Sequence, residues 1–301
     1  MITQFHHKEF LPLEKICAKK EELGSCISLV IPTSNEETTV GDIVTVTRKR
    51  LMESQPLLDE IIVIDGDSDD NTVRCARESG ATVYQVSEIG DNKIVSGKGS
   101  ALYKSLSVVQ GDIVVCIDAD IRNFDERFVY GLIAPLLYNE NLAFVKSYYT
   151  RPMIVDDITL DNYGGRVTEI LVRPVLSAFY PELARFYQPL SGEYSFRKEI
   201  ISHLPFYSGY GVEIGLILDM YKQFGLSAIA QVDMDCRCHR NRPVVDLGKM
   251  AFGILQVLLK KLEEDGKISF SERIYSKMIS LNNYQWEETP IEEIKLLPLR
   301  H

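Results

Sequence analysis

The sequence predicts an α/β domain built on a mixed, mainly parallel sheet, and three observations carry that expectation. Three apolar runs, "SCISLVIPTSNEE", "DEIIVIDGDSDDNT" and "GDIVVCIDADIRNFDE", each end in turn-forming or acidic residues and each lead into a helix-like stretch. The runs are continuously apolar, as strands buried on both faces are. Their alternation with helices is the βαβ rhythm, and in open sheets of that kind ligands bind beyond the carboxyl ends of the strands. The three polar endings are therefore expected to meet at one rim.

Taken in order, the pattern predicts helices over about 36–53, 70–79 and 125–138, a short strand in "ATVYQV" and a helix start in "GKGSALYKSL". "AFVKSYYTRP" reads as a strand, and "GGRVTEILVRPVLSAFY" as a loop leading into a helix broken near Pro174. "GYGVEIGLILDMYKQFG" reads as a helix stopped by Gly225. "SAIAQVDMDCRCHRNRP" alternates, with Val232, Met234, Cys236 and Cys238 inward and Asp233, Asp235, Arg237 and His239 on the polar face. Residues 246–301 have a helical pattern, and "DLGKMAFGILQVLLKKL" carries apolar surface that needs a partner, either its own domain or a second subunit. On this reading the chain comprises an extension (1–25), two halves of one domain (26–138 and 139–245) and a helical tail (246–301).

Composition bounds the function. At 301 residues, 45% hydrophobic and 25% charged, the chain can bury a sizeable core. A formal net charge of -10 argues against a nucleic-acid or anionic-membrane surface, but an anionic small molecule stays open where basic residues gather. No apolar run approaches the roughly 20 residues of a membrane helix, and the N-terminal stretch has no apolar signal core; a cytoplasmic protein is expected. Six cysteines make no disulfide framework, and "CRC" has no second cysteine pair to complete a zinc site.

The chemistry centres on Asp118 and Asp120. Two carboxylates two residues apart on a strand share a face, and here they stand beside a second acidic rim at Asp65 and Asp67. Like charges at close range repel by several kcal/mol at intermediate dielectric. A divalent cation relieves that repulsion, and oxygen donors suit Mg2+ or Mn2+. Basic residues gather in "CRCHRNRP", where Arg237, Arg240 and Arg242 fall within six residues, and in "YGGRVTE", where glycines, Arg166 and Thr168 can meet an anion at a helix start. Glu213 sits in an apolar helix start and needs a hydrogen-bond partner there.

The ordered series "IPTSNEE", "IDGDSDDNT", "GKGSALYKSL", "IDADI", "LVRPVL", "QPLSGEY", "GYGVEIGL" and "IAQVDMDCRCHRNRP" resembles the glucosyl-3-phosphoglycerate synthase family of retaining glycosyltransferases with the GT-A (Rossmann-like) fold, over about residues 26–250. The resemblance implies transfer of glucose from UDP-glucose to the 2-hydroxyl of 3-phosphoglycerate, a divalent cation (Mg2+ or Mn2+) and a homodimer. It assigns Pro32, Thr33, Ser34 and Glu36 to uracil and ribose, with Ser68 near the base and Lys98 near the nucleotide. Asp118 turns toward the ribose, Ala119 follows it, and Asp120 and His239 hold the metal. Tyr210, Glu213, Arg237 and Arg242 complete the nucleotide-sugar site, and Gly165, Arg166, Thr168 and Asn241 receive the acceptor. Glu213, Asp120 and the backbone of Leu190 take the catalytic roles, with Glu193 as a further sugar contact. Gly66-Asp67 departs from the Asp-Ser-Gly-Ser frequent in the family. A mannosyl donor, another acceptor, a nucleotidyltransferase and a silent sugar-nucleotide binder stay open beside this reading.

Overall fold

A computed structural model describes residues 2–90, 97–155, 158–160, 165–238, 243–282 and 285–299. The chain begins with strand β1 (Thr3–His6) and helix α1 (Leu13–Leu23). The apolar runs and "ATVYQV" then form β2 (Ile27–Thr33), β3 (Glu60–Asp65), β4 (Thr82–Gln85) and β5 (Ile113–Cys116), separated by α2 (Val40–Arg48), α3 (Thr72–Ser79) and α4 (Lys98–Ser105). There follow α5 (Arg127–Tyr138), β6 (Phe144–Thr150), a small hairpin of β7 (Met153–Val155) and β8 (Ile158–Leu160), α6 (Arg173–Phe179), β9 (Tyr194–Arg197), α7 (Lys198–Ile201) and β10 (Phe206–Tyr207). The chain continues through α8 (Val212–Phe224), β11 (Ile229–Cys236), α9 (Val244–Glu264), β12 (Lys277–Asn282), β13 (Gln285–Pro290) and β14 (Lys295–Leu296).

Eight strands make one sheet in the order β1-β11-β6-β9-β5-β2-β3-β4. All neighbours are parallel except β9, which runs antiparallel to both β5 and β6. Successive side chains of a strand point to opposite faces, so β2 feeds both cores. Leu29 and Ile31 enter one with residues of α1, α2 and α5, and Val30 enters the other with residues of α4, α8 and α9. This two-sided burial is why the runs are continuously apolar, and it brings the ends of β2, β3 and β5 to one rim.

Four expectations are corrected. The extension is part of the sheet, because β1 pairs in parallel with β11 from Thr3↔Ala230 to His6↔Asp233. Pro174 does not break its helix. Widened turns over Thr168–Val172 run directly into α6, and Pro174 stands in the first turn of α6, where its lack of an amide donor is tolerated. The strict alternation of β11 fails at Asp235, which adopts a left-handed φ of 63°, with a register shift between Asp233 and Cys236. That bulge re-aims the next side chains along the strand, so Asp235 turns to the N-terminus while Arg237 is buried. Finally, the tail is helical only through Glu264, after which β12 and β13 form an antiparallel hairpin and β14 pairs with β10.

The bulge is latched by the N-terminus. Asp235 accepts from His6 Nε2 at 3.0 Å and His7 Nε2 at 2.9 Å, and Lys8 Nζ lies 3.0 Å away. His7 Nδ1 lies 2.7 Å from the Tyr130 hydroxyl, which suits a neutral ring accepting there and donating to Asp235. Burial holds His7 below its ordinary 6.5, and the hydrogen bond from His7 holds Asp235 well below the usual carboxylate range. Both folded groups resist protonation that the unfolded chain accepts, so their contribution is present at neutral pH and is lost as pH falls, first below about 6.5. Denaturant titrations between pH 7.5 and 5 are expected to show stability declining with acid, and His7→Gln is expected to flatten that decline; an unchanged slope in the variant contradicts the latch.

Candidate active site

The rim is organised first by Asp65, at the end of β3. Fully buried, it accepts from the Thr33 hydroxyl at 3.0 Å and from the backbone N–H and hydroxyl of Ser68 at 2.8 and 2.6 Å. Ser68 in turn accepts from the Asn35 N–H at 2.9 Å, and Thr72 accepts from the Glu36 N–H at 2.8 Å. Pro32, Thr33, Ser34, Glu36 and Ser68 thus form one knitted corner beyond β2 and β3. Asp65 is not the second acidic rim expected beside Asp118, since its oxygens are consumed in building this corner. Asp67 likewise turns away, its carboxylate accepting from the Ser87 hydroxyl at 2.7 Å.

The second half of the rim is a buried chain of charges. β5 stops at Cys116, so Asp118, Ala119 and Asp120 lie on the turn after it, and the shared face of a strand does not align the carboxylates. Arg237 aligns them instead. One of its terminal nitrogens lies 3.2 Å from Asp118 Oδ2 and 2.6 Å from Asp120 Oδ1, and its Nε lies 3.1 Å from Glu193 Oε1. Asp118 Oδ1 pairs with Lys98 Nζ at 2.7 Å, and Lys98 pairs with Glu213 Oε1 at 2.8 Å. Glu193, Glu213 and Arg237 are each at most 3% exposed. Stripping such ions of water costs several kcal/mol apiece, so each is held by partners.

Local stitching explains why this chain of charges forms. Arg127 donates from Nε to the Met234 carbonyl and from a terminal nitrogen to the Cys236 carbonyl, both at 2.9 Å. Asn123 donates to Cys236 O at 2.9 Å and accepts from Cys238 N–H at 2.7 Å, while Arg122 N–H donates to Cys238 O at 3.0 Å. The turn after Asp120 is thereby sewn to the end of β11 and the two residues that follow it, Arg237 among them. On the opposite side Gly192 presses against Asp118; a Cβ there would stand 2.2 Å from its carboxylate oxygens. Leu190, two residues earlier, is half-buried at that edge.

Electrostatics follows from the contacts. Lys98 and Arg237 overcome burial and hold Asp118 well below the usual carboxylate range, and the surrounding carboxylates hold Lys98 and Arg237 well above theirs. Lys146, in β6, behaves in the opposite way. Buried beneath the site, it donates to the Ser191 carbonyl, and burial pushes it down to about 7 despite the nearby carboxylates. Tyr149 donates its hydroxyl to Glu193 and accepts from Arg151 at 2.8 Å. Among the described residues, four carboxylates (Asp118, Asp120, Glu193 and Glu213) therefore face two directly paired cations, Lys98 and Arg237. This surplus of hard oxygen donors fits Mg2+ or Mn2+.

Asp118, Asp120, Arg237, Lys98 and Glu213, which lie far apart in sequence, are thus brought together. Tyr210 is partly exposed one residue before α8's cap, in the loop that leads to Glu213. Gly165, at a φ of 79°, precedes the widened helical turns, Arg166 follows it half-buried, and Thr168 is buried within the turns. The chain of charges does not itself include that segment. His239, Arg240, Asn241 and Arg242, together with Gly164, lie outside the described residues. Lys146 and Tyr149 were missed in sequence because a lysine and a tyrosine in an apolar strand run give no signal of what they face.

Comparison with known proteins decides the family. Residues 28–190 match the family model described as Glycosyl transferase family 2. A glucosyl-3-phosphoglycerate synthase from Petrotoga mobilis is 44% identical over 285 residues, covering 94% of this chain and 88% of that protein. The chain belongs to the glucosyl-3-phosphoglycerate synthase family of glycosyltransferases. Among solved structures, a mannosyl-3-phosphoglycerate synthase from Rubrobacter xylanophilus matches with a TM-score of 0.87 at 36% identity, covering 98% of this chain and 94% of that one. A Mycobacterium tuberculosis glucosyl-3-phosphoglycerate synthase, in complex with Mn2+, UDP-glucose and phosphoglyceric acid, matches with a TM-score of 0.84 at 37% identity, covering 99% and 97%. The GT-A fold expected from sequence is the fold observed, and structures in this family hold Mn2+ or Mg2+ with UDP.

Proposed function

We propose that this glycosyltransferase moves glucose from UDP-glucose to the 2-hydroxyl of 3-phosphoglycerate with retention at the anomeric carbon. The observation that carries the reading is the charge chain Glu193–Arg237–Asp118/Asp120–Lys98–Glu213 at the sheet rim, beside the corner built on Asp65. The corner of Pro32, Thr33, Ser34, Glu36 and Ser68 receives the base and ribose. Asp118 and Ala119 lie toward the ribose, and Asp120, with His239, holds the metal. The hydrogen bond from Arg122 N–H, two residues past Asp120, to the Cys238 carbonyl supports that reading.

When bound, the divalent ion supplies positive charge to the departing diphosphate. Lys98 sits where it can neutralise the same leaving group, and Arg242 joins it in that role. Glu213 and Tyr210 orient the glucose, with Glu193 buried behind. Gly165, Arg166, Thr168 and Asn241 hold the acceptor's phosphate and carboxylate. Glu193 and Glu213 are both committed to cations, which leaves neither set up as a free nucleophile of the kind retaining glycosidases use. Retention then follows from same-face attack: the acceptor hydroxyl bonds to the anomeric carbon, the bond to the β-phosphate oxygen breaks, and that oxygen takes the hydroxyl proton, while the Leu190 backbone orients the pair.

A mannosyl donor is the second reading, favoured by the likeness to a mannosyl-3-phosphoglycerate synthase. Free cysteines and phosphorylated substrates suit a cytoplasmic setting. The homodimer expected from sequence is assigned here to a surface other than α9. One face of α9 is buried on its own domain through Ile254, Val257, Leu258 and Leu262, whereas the β12–β13 hairpin exposes Ile279, Leu281 and Trp286. Leu281 and Trp286 are cross-strand neighbours, and a second copy of this chain covering them would remove that apolar patch from water.

Turnover of 3-phosphoglycerate with a panel of UDP-, ADP- and GDP-sugars, with and without chelator, tests the reaction. UDP-glucose is expected to give an α-linked product by the NMR of its anomeric proton, chelator to abolish turnover, and Asp120→Asn to lower kcat by roughly 100-fold or more, about 3 kcal/mol of lost electrostatic stabilisation. Full metal-dependent activity in that variant contradicts the assignment. Sedimentation velocity is expected to give a dimer for the native chain and a monomer for Trp286→Ala; an unchanged dimer removes the hairpin from the interface.

A further inference from the structure

The tail after α9 carries a buried carboxylate, Glu293, with no role in the proposed reaction. Glu293 is 3% exposed. Its two oxygens accept from the backbone N–H groups of Gly211 at 3.0 Å and Gly209 at 2.8 Å. A recess is built for it: a Cβ on Gly209 would stand 2.5 Å from Glu293 Oε1, and one on Gly253 would stand 2.8 Å from the same atom. Helix α9 fixes the residue from the other side, since Gln256 Oε1 accepts from Glu293 N–H at 3.1 Å and Lys260 donates to its carbonyl.

What Glu293 grips is the support of both partners in the Lys98–Glu213 ion pair. Gly211 is the N-terminal cap of α8 and has no side chain with which to cap it. Glu293 caps that helix from about eighty residues away, and its negative charge faces the positive end of the helix dipole. Glu213 is in the first turn of that helix. The carbonyls just before the cap take the start of α4: Ser208 O accepts from Ser100 N–H at 2.9 Å, and Gly209 O from Gly99 N–H at 3.2 Å. The packing is backbone on backbone, as a Cβ on Gly99 would fall 1.8 Å from the Tyr207 carbonyl oxygen. Lys98 lies one residue before that contact.

We propose that Glu293 is a positioning residue, a carboxylate from the tail that caps α8 and locks the Ser208–Gly211 loop so that Lys98 and Glu213 meet at the sugar-diphosphate end of the site. The proposal rests on the glycosyltransferase reading for its kinetic consequence, but its structural half does not. The base-binding corner, built by Asp65 on other strands, is outside its reach. A misplacement of about 1 Å at a reacting centre costs on the order of 100-fold in rate.

The test compares Glu293→Gln, Glu293→Ala and, as a control in the same tail, Leu296→Ala, in the full chain. Both Glu293 variants are expected to lower kcat by roughly 10- to 100-fold at temperatures well below their melting points, with UDP affinity falling by less than kcat does, because the untouched base corner still holds the uridine while Lys98 meets only the phosphates. Hydrogen exchange at the Gly209 and Gly211 amides is expected to accelerate in both, while the second half of α8 stays protected. Leu296→Ala, which removes buried apolar area alone, is expected to lower the melting temperature and leave kcat near the native value. Native kcat in a folded Glu293 variant overturns the proposal, as do unchanged amide exchange, UDP affinity falling in step with kcat, or an equal kcat loss in Leu296→Ala. Failure of both Glu293 variants to fold also overturns it, by assigning the residue to folding. Absence of turnover in the native chain counts against the functional reading, and amide exchange and UDP affinity then judge the positioning role.

Discussion

The site depends on burying one guanidinium. Arg237 brings a fixed positive fork to a place where Asp118, Asp120 and Glu193 converge, and the fully buried Glu193 would be untenable there alone. An isolated charge removed from water costs far more than any single hydrogen bond returns. Arginine suits the position because it cannot shed its proton in a protein and presents several donors in one plane. Lysine at the same depth behaves differently, as Lys146 shows: with a backbone carbonyl as its bonded partner, burial pushes it down to about 7. The surrounding carboxylates draw their order from Arg237 and Lys98, and their surplus of negative charge is what invites a divalent cation.

Getting Arg237 to that place required a departure from regular structure. A straight β11 would have kept residues 233, 235 and 237 on one face. The bulge at Asp235, with its left-handed φ, separates them and sends one carboxylate to His6 and His7 and the arginine into the site. A non-glycine residue in that region carries a conformational cost of about 1–3 kcal/mol and persists only where surrounding contacts over-determine it. Here the two histidines, Lys8 and the Arg127 and Asn123 bonds to the strand's carbonyls do so. The N-terminal strand is thus coupled to the active site through the residue that strains the backbone.

The parallel sheet, the converging rim and the helices after each apolar run were legible because burial on two faces leaves continuous apolar strands, which follow from solvent exclusion alone. Asp118, Asp120, Lys98 and Glu213 were legible through their motifs. The features that stayed hidden depend on contacts distant in sequence. No local pattern marks a bulge that Asp235 adopts to reach His7, or tells a rim carboxylate from Asp65, which is buried to bond Thr33 and Ser68. The helical reading of the tail failed because β12–β13 is stabilised by its cross-strand pairs and β14 by pairing with β10, interactions that periodicity within 246–301 does not encode. Lys146 was hidden for the same reason: its importance lies in the Ser191 carbonyl it reaches.

The central claim is that the carboxylate held by Arg237 and presented beyond β5 is where a divalent ion and a sugar nucleotide's diphosphate are gripped together. Crystals grown with Mn2+ and UDP, with anomalous scattering recorded at the manganese edge, test it most directly. The account predicts a single strong peak at the Asp120 carboxylate, shared with the UDP phosphates and lost in Asp120→Asn. A manganese peak away from Asp120, or UDP bound in the Asp65 corner with its phosphates directed away from Lys98 and Arg237, would contradict it.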